Sequence, residues 1–143
     1  EFNLSLLEER GRASVLPIAE ILFEDWREGR PRIVGYDAKW TSDSEAYIGT
    51  PRRFGLEKDE PALAAELVKL AKSCWDLFGL AGYARVDFRV DREGRPTILE
   101  VNVNPCLNPD AGFAAAAAQG GLSYRDLIGS IIDAAPRALP ALP

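Results

Sequence analysis

The sequence contains no histidine and only two cysteines, and each shortage removes a class of chemistry. Without histidine, this segment cannot build a Ser-His-Asp triad or a histidine-based zinc hydrolase site. Cys74 and Cys106 lie far apart in the sequence, and we expect no disulfide between them. Cys74 falls within a helical pattern, which favours a buried thiol over a redox role. Carboxylates, amides, Lys and Arg are therefore the groups left to carry a reaction.

Long apolar runs and an excess of basic charge are missing as well. The sequence has no uninterrupted apolar stretch of about 18 residues, so we expect no membrane interaction through a spanning helix. The formal net charge of −5 argues against a general nucleic-acid surface, although a local cationic pocket for phosphate stays possible. An initiator Met and a basic-then-apolar leader are absent, which predicts a chain that begins mid-gene and a cytoplasmic location.

The hydrophobic pattern predicts strands first. A length of 143 residues is enough for one domain, which we expect to cover residues 1–143 with 136–143 as a frayed tail. Residues 1–9 alternate with the two-residue period of a strand, and the apolar run 14–24, interrupted by Pro17, is expected to pair with it antiparallel. A short strand is predicted at 32–36, and a long ordered loop over 41–55.

Helices and a hairpin follow in the second half. Residues 61–78 have helical periodicity with Asp59 as the expected N-cap. Strands at 83–90 and 97–101 should form a hairpin around the turn 91–94. A short helix over 111–119 and a last helix opened by Ser123 and Asp126 complete the pattern. The chain shows no βαβ rhythm, so we predict an α+β fold with helices packed on a mostly antiparallel sheet.

Three oxygen-bearing side chains of the predicted hairpin form the candidate site. Asp87 lies on one strand, and Glu100 and Asn102 lie two steps apart at the end of its partner, which puts the last two on one face. Two carboxylates and an amide suit a hard cation that also shares phosphate oxygens. Alternatively, both acids are ordinary solvated strand residues. For Glu100 the apolar residues around it weaken that alternative, because an unpaired carboxylate near a core is costly.

Four segments carry recognisable motifs: 36–40, 82–88, 98–105 and 121–128. Together, at matching intervals, they resemble the ATP-grasp superfamily, most closely the C-terminal part of D-alanine:D-alanine ligase-like enzymes. The segment Tyr36-Asp37-Ala38-Lys39-Trp40 looks like that family's Tyr-Glu-Ala-Lys-Tyr. Residues 82–88 and 98–105 resemble its metal-binding hairpin, and residues 121–128 resemble the entrance to its final helix. The resemblance covers residues 1 to about 135, nearly the whole chain.

The resemblance implies a role for each candidate residue. Asp87, Glu100 and Asn102 would hold Mg²⁺ (or Mn²⁺) ions that bridge the ATP phosphates. Arg85 would stabilise the acyl-phosphate and tetrahedral species, or it is a surface cation paired with a neighbouring acid. The remaining implied contacts are to ATP: Lys39 with the phosphates, Glu1 with the ribose hydroxyls, Leu99 and Ile33 with the adenine. Without the family, Lys39 is an ordinary exposed lysine, and Leu99 and Ile33 are plain core.

Departures from the family pattern leave two functions open. Cys106 stands where the D-alanine ligases have Gly, Ala111 stands near their substrate-binding Ser, and Trp40 replaces a Tyr. The first function is a fragment of an ATP-dependent carboxylate-amine ligase that acts on an amino-acid substrate, as in peptidoglycan biosynthesis. It would need the missing N-terminal half of the enzyme and could form a homodimer. The second is a noncatalytic nucleotide-binding or regulatory module, and a purely structural domain is a third, weaker interpretation.

Overall fold

A computed structural model describes residues 1–26, 29, 31–35 and 44–135 of the chain. It has the predicted α+β architecture, with helices on both sides of an antiparallel sheet. None of the helices in these ranges is both long and apolar enough to cross a membrane. The strands are β1 (Phe2–Glu9), β2 (Arg12–Val15), β3 (Ala19–Ile21), β4 (Arg52–Arg53), β5 (Tyr83–Val90) and β6 (Pro96–Asn102). The helices are α1 (Glu45–Ile48), α2 (Leu56–Asp59), α3 (Pro61–Leu77), α4 (Gly112–Gln119) and α5 (Tyr124–Ala134).

The sheet runs in the order β4-β3-β1-β5-β6, with β2 paired to the second half of β1. Pro17 separates β2 from β3, because proline cannot donate a ladder hydrogen bond. The two short strands therefore lie along opposite ends of the same edge of β1. The predicted antiparallel pairing of the first two apolar runs is confirmed, and so is the β5–β6 hairpin. In the described part of the chain, β6 forms one edge of the sheet.

Alternation along β1 and β5 gives the sheet two different faces. One face carries Phe2, Leu4 and Leu6 beside Ala84, Val86 and Phe88, and α3 covers it with Leu67, Ala71 and Trp75. The other face carries polar groups along most of its length and is apolar only where Leu7 meets Phe113 of α4 and Leu127 of α5. Each large side chain buried in this way contributes about 1.5–3 kcal/mol. We call these the apolar face and the polar face.

The last two helices begin and end as their sequences predict. Ser123 caps α5: its Oγ accepts a hydrogen bond from Asp126 N at 3.1 Å and donates one to Asp126 Oδ2 at 2.6 Å. Gly120 is the C-cap of α4, and Gly121 adopts a positive φ of 85°. The Ser123 cap and the turn at Gly120 and Gly121 reverse the chain direction between the helices, so that α4 and α5 pack on the same end of the polar face.

Three local predictions are wrong. Asp59 is not the N-cap of α3 but the last residue of α2. Glu60 is the N-cap of α3 and makes no side-chain hydrogen bond there. Pro61 follows at the first helical position, where its fixed φ suits a helix and its missing N–H leaves no hydrogen bond unmade. Residues 32–35 form no strand, because Ile33 N bonds Pro31 O at 2.9 Å and Gly35 N bonds Ile33 O at 3.0 Å, which curls the chain locally. The predicted loop over 41–55 contains α1 and β4.

The reason for the third error is long-range pairing. Arg53 of β4 aligns with Glu20 of β3 and donates to its carboxylate, with Arg53 Nε 2.9 Å from Glu20 Oε2. A two-residue strand held by a distant partner leaves no periodic signal in its own sequence. The predicted tail, 136–143, lies outside the described residues.

Two leucines of α3 test this arrangement with the same substitution in the same helix. Leu67 is fully buried and Leu77 is 79% exposed. We expect Leu67→Ala to lower the free energy of unfolding by about 2–5 kcal/mol, and Leu77→Ala to change it by less than about 0.5 kcal/mol. Urea denaturation followed by circular dichroism measures both. Equal losses for the two variants would contradict the assigned face of α3.

Candidate metal and nucleotide site

The pairing of β5 with β6 brings the candidate ligands together. Asp87 lies directly opposite Glu100, and Arg85 lies directly opposite Asn102. Residues opposite each other in an antiparallel pair project from the same face, and their Cβ atoms are about 4.5–5.5 Å apart. All four side chains therefore stand together on the polar face of the hairpin.

Asp87 is the centre of a buried hydrogen-bond network. It is only 4% exposed. Asn3 Nδ2 donates to Oδ1 at 2.8 Å, Arg85 Nε donates to Oδ1 at 2.7 Å, and Arg85 Nη2 donates to Oδ2 at 2.7 Å. Arg85 is therefore paired with a neighbouring acid, but its side chain is only 18% exposed, so it is not the surface cation of the alternative interpretation. A buried carboxylate needs such partners to remain charged.

The charge on Arg85 is maintained by the acids around it. Burial works against the charged form and would lower the pKa of the guanidinium. The hydrogen bonds and charge of Asp87 act in the opposite direction, with smaller contributions from Glu100 and Glu1, and the pKa is raised above its ordinary value. Arg85 is therefore a permanent cation in the middle of the polar face.

Glu100 is exposed, contrary to the expectation that apolar neighbours enclose it. Ile98 and Leu99 beside it are 43% and 53% exposed, because β6 is the edge strand of the described sheet. The register also shifts: Asp87 aligns with Glu100, but the next residue, Phe88, aligns with Ile98. Leu99 is thus the extra residue of a β-bulge, and such bulges re-aim side chains at sheet edges. Leu99 is not a core residue.

Asn102 ends β6 and begins the loop that leads to α4. Its Oδ1 accepts a hydrogen bond from Asn104 N at 2.9 Å, and an amide oxygen keeps a second lone pair for another partner. Asn104 Oδ1 in turn accepts from the hydroxyl of Tyr83 at 2.7 Å, and Pro105 is fully buried. The loop is therefore fixed to β5 on one side and to the core on the other.

Glu1 lies at the opposite end of the polar face. Its Oε2 is 3.2 Å from Arg89 Nη1, and the Arg89 guanidinium stacks 5.6 Å from the centre of the Phe23 ring and donates to the carbonyl of Arg32. These contacts bring the segment 31–35 toward Glu1. Ile33, in that segment, is 60% exposed, so it is not a core residue either. Lys39 lies outside the described residues.

The donor set fits a hard cation that takes the rest of its ligands from elsewhere. Among the described residues, no three Cys, Asp or Glu side chains are grouped closely enough to hold a metal ion. Asp87 and Glu100 supply two carboxylates, and Asn102 supplies an amide oxygen. Mg²⁺ prefers oxygen ligands and usually completes its shell with water and phosphate. The roles of these three residues as ligands stay predictions.

The start of α4 lacks the hydroxyl that the family resemblance leads one to expect. Ala111 is the N-cap and makes no side-chain bond there. Its backbone N bonds Asn108 O at 2.9 Å, which keeps the loop folded. Cys106 is exposed in the same loop.

Sequence reasoning missed two residues of the polar face, Asn3 and Arg89. Both stand on strands that were predicted, at positions that alternate with the apolar ones. Arg89 follows Arg85 and Asp87 at two-residue steps, which was the available signal. Asn3 could be found only with the register that aligns it with Asp87.

Comparison with known proteins decides the family. A family model described as "D-ala D-ala ligase C-terminus" matches residues 1–133. The chain belongs to this family. The match includes every candidate residue of the polar face, from Glu1 to Asn102.

The curated relatives that match are longer than this chain. A D-alanine--D-alanine ligase of Pelotomaculum thermopropionicum is 36% identical over 120 residues, which is 84% of this chain and 34% of that protein. A D-alanine--D-alanine ligase of Bordetella petrii is 31% identical over 136 residues, 94% of this chain and 38% of that protein. An uncharacterized protein of Sinorhizobium fredii, y4sG, is 32% identical over 137 residues. The chain spans about a third of these relatives.

Solved structures agree on the fold. D-alanine--D-alanine ligase from Bacillus anthracis matches with a TM-score of 0.68 at 24% identity over 93% of this chain and 38% of the other. The same enzyme complexed with ATP gives a TM-score of 0.66 at 22% identity over 93% of this chain and 36% of the other. At these identities the likeness concerns the fold alone.

The two thiols should differ in reactivity. Cys74 of α3 is buried against the apolar face, and this burial raises the pKa of its thiol. Cys106 is exposed in the loop after β6. Because the thiolate is the reactive form, we expect iodoacetamide to label Cys106 in the native chain and Cys74 only after denaturation. Peptide mass spectrometry distinguishes the two sites. Equal native labelling would contradict the burial of Cys74.

Proposed function

We propose that this chain supplies the metal- and nucleotide-binding face of an ATP-dependent carboxylate-amine ligase of the D-alanine:D-alanine ligase type. The observation that carries the proposal is the pair of cross-strand alignments, Asp87 with Glu100 and Arg85 with Asn102. Together they gather two carboxylates, an amide and a permanent cation on one face. Membership of the D-Ala-D-Ala ligase family supports the same function.

Each side chain of the hairpin has a distinct task in this reaction. ATP and Mg²⁺ (or Mn²⁺), when bound, would supply the phosphoryl group and the charge neutralisation that convert a carboxylate to an acyl phosphate. Asp87, Glu100 and Asn102 would hold the metal through their oxygens. Arg85, which carries its charge at all physiological pH values, stabilises negative charge on the reacting phosphoryl and acyl oxygens.

The other end of the polar face suits the nucleoside. Glu1 offers a carboxylate for the ribose hydroxyls, and it is kept in place by Arg89. Ile33 in the segment near Glu1, and Leu99 beside Glu100, offer exposed apolar surface for adenine. Lys39 is proposed as the phosphate contact from the segment between 36 and 43.

The whole protein is proposed to act on an amino-acid substrate in the cytoplasm. The polar face would form one side of the nucleotide site, and the N-terminal half that the longer relatives possess would form the other side. Residues 1–143 would form one domain of that enzyme, and a homodimer is compatible with it. The lack of a hydroxyl at Ala111 favours an acceptor different from D-alanine.

A noncatalytic nucleotide-binding module is the second candidate. It is favoured by Ala111 and Cys106, which replace residues of the substrate site, and by the closed ion pair between Arg85 and Asp87. Such a module would bind ATP with Mg²⁺ and release no phosphate.

Phosphate release tests the proposal. The complete gene product is assayed with ATP, Mg²⁺ and a panel of D- and L-amino acids, as wild type and as Glu100→Gln. We expect turnover with at least one amino acid, and a loss in kcat/KM for Glu100→Gln at the upper end of, or beyond, the about 10–100-fold typical of an outer-shell change, because a ligand carboxylate is gone.

The matched control is Glu66→Gln, the same change at an exposed position of α3, on the other side of the sheet. It should retain full activity. Unchanged turnover of Glu100→Gln would refute the metal role. A wild type that binds ATP and stays silent across the whole panel would favour the noncatalytic module.

A further inference from the structure

The two oxygens of Asp87 are held unequally. Oδ1 accepts two hydrogen bonds, from Asn3 Nδ2 at 2.8 Å and from Arg85 Nε at 2.7 Å. Oδ2 accepts one, from Arg85 Nη2 at 2.7 Å. A carboxylate has about four lone-pair positions, so Oδ2 has more remaining capacity than Oδ1.

The two donors also differ in what a cation would do to them. Arg85 carries a positive charge, so it competes with a metal ion for Asp87 and repels it. Asn3 is neutral, so it can keep its hydrogen bond while a metal ion binds the other oxygen. The hydrogen bond from Asn3 is therefore the contact that can persist through metal binding.

Asn3 is well placed to fix the carboxylate. It lies on β1, which is paired with β5 along six consecutive residues, and it aligns directly with Asp87. Arg85 by itself already compensates the charge of Asp87 with two hydrogen bonds. The fold thus does not need Asn3 to neutralise the acid, and its distinct contribution is the orientation of the carboxylate.

We propose that Asn3 is a positioning residue that anchors Oδ1 of Asp87 and leaves Oδ2 as the oxygen offered to a divalent cation. When a cation binds Oδ2, the hydrogen bond from Arg85 Nη2 to that oxygen breaks. This inference rests on the proposed function, because it presupposes that Asp87 binds the metal.

Mn²⁺ binding to the complete gene product, followed by the electron paramagnetic resonance signal of free Mn²⁺, tests the inference without any turnover. The test variants are Asn3→Ala and Asn3→Val; valine favours strands and has no donor, so it preserves β1 if alanine loosens it. Both should raise the Kd for Mn²⁺ about tenfold or more, the usual effect of removing a hydrogen bond to a metal ligand. Gln119→Ala, which removes an exposed amide at the end of α4, should leave the Kd unchanged.

Arg85→Gln separates positioning from simple support of the structure. If Arg85 competes with the cation, its loss leaves the Mn²⁺ Kd equal to that of the wild type or lower. A residue that merely stabilised the strands would weaken binding together with Tm, so Tm is recorded for every variant. Weaker Mn²⁺ binding by Asn3→Val together with unchanged or tighter binding by Arg85→Gln supports the inference.

Three results would overturn it. An unchanged Kd in Asn3→Val, with binding still weakened in Glu100→Gln, refutes the role of Asn3 and leaves the metal site standing. Equal weakening of Mn²⁺ binding by Asn3→Val and Arg85→Gln refutes the distinct roles assigned to Oδ1 and Oδ2. No Mn²⁺ binding by the wild type, or none that depends on Glu100, refutes the metal site and the inference together.

Discussion

The carboxylate of Asp87, buried in the middle of the sheet, is the constraint on which the polar face depends. Such a group is tolerated only with hydrogen bonds and an opposite charge close to it. Here Arg85, two residues along the same strand, supplies the charge, and Asn3 on the neighbouring strand supplies a further donor. A slip of one residue between β1 and β5 would put Asn3 on the face opposite Arg85 and Asp87. The network and the strand register therefore specify each other.

The two faces of the sheet differ in role: the apolar face holds most of the core, and the polar face carries the candidate site. Helix α3 covers the apolar face, where the larger buried cluster lies. On the polar face, α4 and α5 pack only around Leu7, at the end distant from Glu1. Between that cluster and the Glu1–Arg89 pair, the charged and amide groups are left uncovered by helices in the described residues. The second, smaller cluster also anchors the loop after β6, through Tyr83, which contacts Phe113 edge-on at 5.7 Å between ring centres. Strands β5 and β6 thus carry the candidate site residues, and β5 also provides the contacts that hold the loop after β6.

Local signals were enough to predict three elements: two-residue alternation for the hairpin, helical periodicity for the helix over 61–78, and a capping box for the start of the last helix. Over the described residues 32–35 the predicted strand was wrong for the converse reason: the composition is that of a strand, but the amides of Ile33 and Gly35 bond carbonyls two residues away. The exposure of Glu100 was also misjudged. The apolar run around it looked like a core strand, but β6 is an edge and Leu99 is a bulge residue. Neither fact is visible without the pairing partners.

The candidate ligands were identifiable from their spacing and the family resemblance, whereas their partners were not. That Arg85 closes on Asp87, and that Asn3 lies opposite it, depends on the alignment of three strands distant in sequence. Anomalous diffraction from crystals of the complete gene product with Mn²⁺ and a non-hydrolysable ATP analogue tests the central claim most directly. We expect a metal peak about 2 Å from Oδ2 of Asp87 and from a carboxylate oxygen of Glu100. A nucleotide bound with its metal away from this hairpin would contradict it.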